Sequence, residues 1–308
     1  MVVHRSLPIG NRFVHLFGVQ GYNSAVGSHE VFKMISSTRV GAVLMESFVV
    51  DGQPIQPGAV VPYHKTLPST GLQRAMELVA EPSFQEAWTA EAVAALTALR
   101  VQSQVVFADR LHTQSFDRLI ERRSLDEMRH SLIHATEAVA SAMESTPGWS
   151  LPPQNCVCPL FPELWEERHK VMAHFAAQQA AAGADVGVVV GSQHIDGVAE
   201  YLNQDFDESL LATPTGRDGN DPVEWEKRAA VGAFLTTTRI FPPWCALPNE
   251  QEMTQDQLDL VKRFYPKYRN AFVGRLAGFQ QRLAGISDGT QILGLGHLAG
   301  LCKQLDQQ

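Results

Sequence analysis

Three polar sets stand where apolar runs of this chain end: Glu46, the pair Asp109 and Arg110, and His194. Glu46 lies inside Ala-Val-Leu-Met-Glu-Ser-Phe-Val-Val, residues 42–50. A carboxylate in such a run is costly to bury unless it is paired, protonated or bound to a cation. Glu46 is therefore an arginine's buried partner, a metal ligand or a general base. Residues 186–194 read Val-Gly-Val-Val-Val-Gly-Ser-Gln-His. The small and β-branched run predicts a buried strand that breaks at Gly191 and, three residues later, delivers His194 to its C-terminal lip. Open α/β sheets hold their chemistry at that lip; the plainer reading is a histidine satisfied in a loop. Arg110 follows the apolar run 101–108, where its guanidinium could grip a carboxylate of substrate or protein with two donors. It could equally be the structural partner of Glu46 or Asp109. Glu167 and Arg168 lie on the helix preceding the His194 strand, aimed at the site or on a solvated face.

Other spacings carry less. His130 and His134 share one helix face, but His-Ser-Leu-Ile-His lacks the glutamate of a zinc-protease helix and reads as a surface pair. Gly294-Leu-Gly-His297 echoes Gly191-Ser-Gln-His194 without a strand before it, and reads as a terminal turn. There is no P-loop or GxGxxG motif. The four cysteines form no CxxC pair, and so few in so long a chain suit a reducing compartment.

The elements that must position these residues follow from patterning. Residues 12–18 predict a first strand, 28–35 a short helix, 40–50 a second strand and 101–108 a third. Residues 85–100 are alanine- and leucine-rich and helical. Ser124 with Glu127 forms a capping box for the next helix; another starts at Pro162 and ends at Gly183 before the Val186 strand. From Val223 the chain reads as helical, with a capping box at Thr254 and Gln257. The alternation predicts an α/β fold with a mostly parallel central sheet flanked by helices, plus a helical C-terminal extension. Residues 10–204 are the expected α/β domain, 205–222 an acidic loop or linker, and 223–308 a helical region packed on the domain. Of 308 residues, 44% are apolar and 19% charged, as in a soluble globular protein. The formal charge of −8 argues against nucleic acid or anionic membranes as main partners, yet leaves room for a local basic patch. No apolar run is long enough to be a transmembrane segment, and the N-terminus lacks a secretory h-region, so an intracellular soluble protein is expected.

Taken in order, these motifs resemble the TraB family, which includes eukaryotic TraB-domain proteins and Tiki-type metalloproteases, with erythromycin-esterase-like proteins more distant. The resemblance runs from about Phe13 to Leu202. Val43-Leu-Met-Glu46 is similar to the family's strand ending in Val-Glu-Leu. Phe107-Ala-Asp109-Arg110 with Ser115, Phe116 and Arg118 is similar to its Gly-Asp-Arg segment and following Thr-Phe-x-Arg. Phe161-Pro-Glu163 and Glu167-Arg168-His-Lys-Val-Met-Ala resemble its Glu-Arg helix, and Gly191-Ser-Gln-His194-Ile-Asp-Gly197 its second Gly-x-x-His. The family's first motif, Gly-Thr-x-His, reads here Gly18-Val-Gln-Gly21, with glycine in the histidine's place.

What the resemblance implies is metal-assisted hydrolysis of a peptide or ester bond. Manganese, cobalt or zinc would be held by Glu46 and His194. Arg110, Glu167 and Arg168 would be further catalytic residues, and Gly18, Asp109, Gly191 and Ser192 would line the substrate site. A catalytic metal normally has three protein ligands and water, so His29 or Glu167 must replace the lost histidine. Otherwise the chain is a non-catalytic, regulatory or ligand-binding relative. A small-molecule or peptide ligand is implied, a homodimer is the candidate assembly, and relatives associate with mitochondria.

Overall fold

The computed structural model describes residues 2–20, 25–46, 56–145, 154–214, 216, 219–241, 243–279 and 297–307. The chain divides into two compact units, each discontinuous in sequence. The first comprises Met1–Leu111, Arg168–Leu211 and Gln291–Gln308, the second His112–Glu167 and Ala212–Thr290. This partition cuts across the contiguous segments 10–204 and 223–308, because residues 112–167 cluster with the later helices rather than with the sheet.

The first unit is α/β. Its five described strands are β1 (Val2–Ile9), β2 (Arg12–Val19), β3 (Ala42–Met45), β4 (Gln104–Phe107) and β5 (Val186–Gly191), in the order β1-β2-β5-β3-β4. Only β1 runs antiparallel, in a hairpin with β2; every other pairing is parallel. The last strand in sequence thus sits in the middle, where all six of its residues are buried. That accounts for its unbroken apolar composition, as expected for a parallel strand covered on both faces.

Alternation along the strands supplies both cores. Phe17, Val19, Val43, Met45, Val105, Phe107 and Val189 face one cluster, with Val31 and Ile35 of the helix Ala25–Thr38 and Leu96 of the helix Ala90–Arg100. Val14, Leu16, Ala42, Leu44, Val106, Val186, Val188 and Val190 face the other, with Val171, Met172 and Phe175 of the helix Glu166–Ala181. Because β2, β5, β3 and β4 are parallel, the residues following all four lie along one edge of the sheet. Glu46, Asp109 with Arg110, and Ser192 to His194 are those that follow β3, β4 and β5.

Several element boundaries differ from the sequence reading, each for a local reason. The predicted strand 40–50 is β3, and it ends at Met45 with Glu46 just beyond; residues 47–50 lie outside the described residues. The strand predicted from 101 begins at Gln104, since Val101 closes the preceding helix and Gln102 takes φ +62°. The helix predicted over 85–100 is two helices, Pro82–Ala87 and Ala90–Arg100. The Thr89 hydroxyl caps the second by accepting from Ala92 N at 3.3 Å. The helix expected at Pro162 starts at Glu166 after a turn in which Glu167 N donates to Pro162 O. Strand β1 was not anticipated, because an exposed edge strand lacks the apolar alternation that marks a half-buried one.

The second unit is helical. Leu125–Ser145, Pro222–Thr238 and Gln255–Arg275 share an apolar cluster that includes Phe116, Leu132, Phe161, Phe234 and Phe272. Both expected capping boxes form. Ser124 N donates to Glu127 while Glu127 N donates back to Ser124 Oγ, and Thr254 and Gln257 exchange the same pair of bonds. His130 and His134 are exposed, as the surface-pair reading has it. Gly294 and its neighbours lie outside the described residues.

The helix Leu298–Asp306 returns to the first unit and packs on Ser69–Leu78, close enough that a Cβ on Gly71 would lie 1.8 Å from the Cys302 carbonyl oxygen. A side chain there must push backbone away. Gly71→Ala is therefore expected to lose about 1–3 kcal/mol of stability and to speed amide exchange in residues 298–306. Unchanged denaturant midpoint and exchange would contradict this packing.

Candidate functional site

The strand-end edge gathers Glu46, Asp109, Arg110, Arg168, His169 and His194. Arg168 is the centre of the group. Its Nε donates to Asp109 Oδ2 at 2.8 Å, its Nη2 donates to the same oxygen, and Nη2 also donates to Glu46 Oε1 at 2.9 Å. One guanidinium thereby ties the residue after β3 to the second residue after β4. Asp109 is fully buried, and burial raises its pKa against the opposing pull of Arg168. Its other oxygen accepts from Arg110 N at 2.7 Å, and Arg110 Nη1 donates to the Leu210 carbonyl at 3.1 Å.

Glu46 is held from three directions. Besides Arg168, Gly191 N donates to Oε2 at 3.0 Å, and His194 Nε2 lies 3.2 Å from Oε1. All three groups can donate to the carboxylate. Its side chain keeps 11% of its surface exposed, against 2% for Arg168 and 3% for His194. Glu46 is thus the edge of the cluster that solvent reaches.

Behind it runs a chain of imidazoles. His194 Nδ1 and His169 Nε2 are 2.8 Å apart, with the rings edge to face. A carboxylate can only accept, so a neutral His194 places its proton on Nε2 and accepts from His169 Nε2–H through Nδ1. Burial, the adjacent His194 and the Arg168 charge lower the pKa of His169 to about 3. His169 is neutral at physiological pH.

Glycines admit this packing. A Cβ on Gly197 would lie 2.1 Å from His169 Nδ1, and one on Gly18 would lie 2.6 Å from Ile195 Cγ1 and 2.9 Å from Ser192 Cα. Gly18 lets β2 lie against the turn Ser192–His194, and Gly191 contributes its N–H to Glu46.

Of the residues singled out in the sequence, Glu46, Asp109, Arg110, Arg168, Gly191 and His194 come together, with Gly18 and Ser192 beside them. Glu167 is engaged separately: its carboxylate accepts from Arg118 Nε at 2.9 Å and pairs with Arg122. His29 Nδ1 lies 2.6 Å from Gln85 Oε1, and His15 Nδ1 lies 2.8 Å from Ser6 Oγ. Gly21 lies outside the described residues. His169 is the member that sequence reasoning missed. Its signal was its spacing from the core-facing Met172 and Ala176, which puts an imidazole on the helix's inner face.

A divalent ion on Glu46 and His194 needs a further protein donor. Among the described residues, no group of three His, Cys, Asp or Glu is placed to hold one. Both proposed substitutes, His29 and Glu167, are committed to other partners, and the Arg168 cation already flanks Glu46. The described residues therefore do not fit the divalent metal that the resemblance implies. Comparison of the chain with known protein families, with curated proteins and with solved structures found no match.

His169 links the site to stability. Its folded pKa lies below the unfolded value of 6.5, so between those values the unfolded chain binds the extra proton and stability falls as pH falls. Melting temperature is expected to drop from pH 7 toward pH 4, and His169→Gln to flatten that slope. An identical slope in the variant would refute a neutral, buried His169. Gly197→Ala should also destabilise by about 1–3 kcal/mol through the clash with the ring, measured by denaturant unfolding.

Proposed function

We propose that the protein is a hydrolase of peptide or ester bonds, of the kind its TraB-like motifs suggest, working at the strand-end edge with Glu46 as the base. The observation that carries this reading is the placement of Glu46: a carboxylate oriented by Arg168, Gly191 N–H and His194 and exposed along one edge of an otherwise buried polar cluster. Such a group can take a proton from a water molecule as that water's oxygen attacks a carbonyl carbon, then return the proton to the departing oxygen or nitrogen. Arg168 and Gly191 N–H hold the carboxylate in place, and the His194–His169 pair backs it with a fixed donor. His169 acts through His194 and is a positioning residue.

A second reading, a non-catalytic binding or regulatory module, is favoured by one feature. Asp109 and Glu46 are matched by Arg110 and Arg168, and all but Glu46 are almost wholly buried, as in a structural ion-pair cluster.

The test is turnover of nitrophenyl esters and fluorogenic peptides by the purified chain and by Glu46→Gln, with unfolding curves for both. Activity reduced at least about a hundredfold in a folded Glu46→Gln supports the hydrolase. Activity equal in both, or none above the variant's background, removes it and favours the binding module. Repeating the assay with manganese, cobalt, zinc or a chelator tests the metal-assisted form of the reading.

A further inference from the structure

The helix Gln255–Arg275 of the second unit carries charge that neither the strand-end site nor the apolar core uses. Its first turns hold Asp256 and Asp259; from residue 261 to 287 the chain has no acidic residue, yet it has Lys262, Arg263, Lys267, Arg269, Arg275 and Arg282. In a chain of net charge −8, that segregation stands out. Gln257, Tyr268 and Phe272 are the helix's buried residues. Lys262, Arg263, Lys267, Arg269 and Arg275 are all exposed. At 3.6 residues per turn, Arg269, Lys262, Arg263 and Lys267 fall on one arc of about 160° opposite the buried side; Asp256 and Asp259 project onto the same arc in the turns that precede the cations. Asn270, Gly274 and Pro266 lie between the cations and leave them prominent. Lys267 stands 5.6 Å from the Tyr268 ring and lowers the pKa of Glu226, and Arg263 lies 5.2 Å from the Phe264 ring; these contacts leave all four cations exposed.

We infer that this basic helix face is a docking surface for an anionic lipid headgroup layer, engaged peripherally and without insertion of a span. Three features favour a lipid surface. Four cations lie on one face along about 10 Å of helix, which a planar array of charges can meet at once. Partly exposed Val273 sits among them with Leu260 at the edge of the arc, apolar groups that can settle between headgroups, while Phe264 and Tyr265 pack on the unit's apolar core. The face carries no exposed aromatic side chain on which a base could stack, as single-stranded nucleic acids require. The acidic remainder of the chain does not cancel the attraction, since charges beyond about 8 Å are screened at physiological salt. No helix among the described residues is long and apolar enough to cross a membrane, so the contact is adhesion to a surface. This inference is independent of the hydrolase reading.

The experiment is co-sedimentation of the full chain with phosphatidylcholine vesicles, with and without phosphatidylserine, at low and high salt. Competition by duplex DNA and by single-stranded RNA is measured alongside. Binding only to the serine-containing vesicles, lost at high salt and weakened about a hundredfold in Lys262→Glu/Lys267→Glu/Arg269→Glu, is expected. The corresponding triple glutamine variant is read if the glutamate variant misfolds. No binding to the anionic vesicles, equal binding to neutral ones, no loss in a folded variant, or stronger capture by nucleic acid overturns the inference.

Discussion

The fold's polar edge depends on one guanidinium. Arg168 sits at the point where three strand ends converge, and it is the group that lets two carboxylates be buried there together. Asp109 has no exposed surface and Glu46 very little. Without a cation between them, each would carry a desolvation cost and repel the other. With it, β3 and β4 end in acidic residues that hold one partner, and β5 adds its Gly191 N–H to the same carboxylate. The interaction is a condition for this packing rather than a net source of stability, since ion pairs taken out of water recover little beyond what their burial costs.

That constraint reaches outward through close contacts. Arg168 and His169 are consecutive on one helix, so fixing the guanidinium on Asp109 also sets where the imidazole enters. The imidazole needs the bare backbone of Gly197, and the turn that brings His194 to it needs the bare backbone of Gly18. The chain Glu46, His194, His169 is thus specified by helix register and by two glycines on different elements. Burial keeps His169 neutral, so it serves as a hydrogen-bond partner to His194 and not as a further charge.

Much of this was legible in the sequence. The α/β class followed from the alternation of apolar runs, and the strand-end positions of Glu46, Asp109, Arg110 and His194 followed from where those runs stop. Strand position was less legible: nothing in Val-Gly-Val-Val-Val-Gly says that β5 lies between β2 and β3, because pairing is decided by contacts distant in sequence. β1 was missed because an exposed edge strand has no apolar face to announce it. In the sequence, a buried ion pair of Glu46 with an arginine is the plainer alternative to a metal ligand, with Arg110 the arginine offered; the structure supplies Arg168. The geometry realises that pairing, while the substitute ligands His29 and Glu167 are held by Gln85 and by Arg118 with Arg122. The discontinuous second unit could not be read from local pattern, since residues 112–167 look like any helical insertion until their apolar partners after residue 212 are known.

The most direct test of this account is the stability of Arg168→Met compared with Arg168→Met combined with Asp109→Asn, by equilibrium denaturation at neutral pH. Removing the cation alone should cost about 3–5 kcal/mol, because it strands buried carboxylates. Neutralising Asp109 in the same chain should restore a substantial part of that loss. A single variant as stable as the parent, or a double variant whose losses simply add, would contradict a fold edge organised around Arg168.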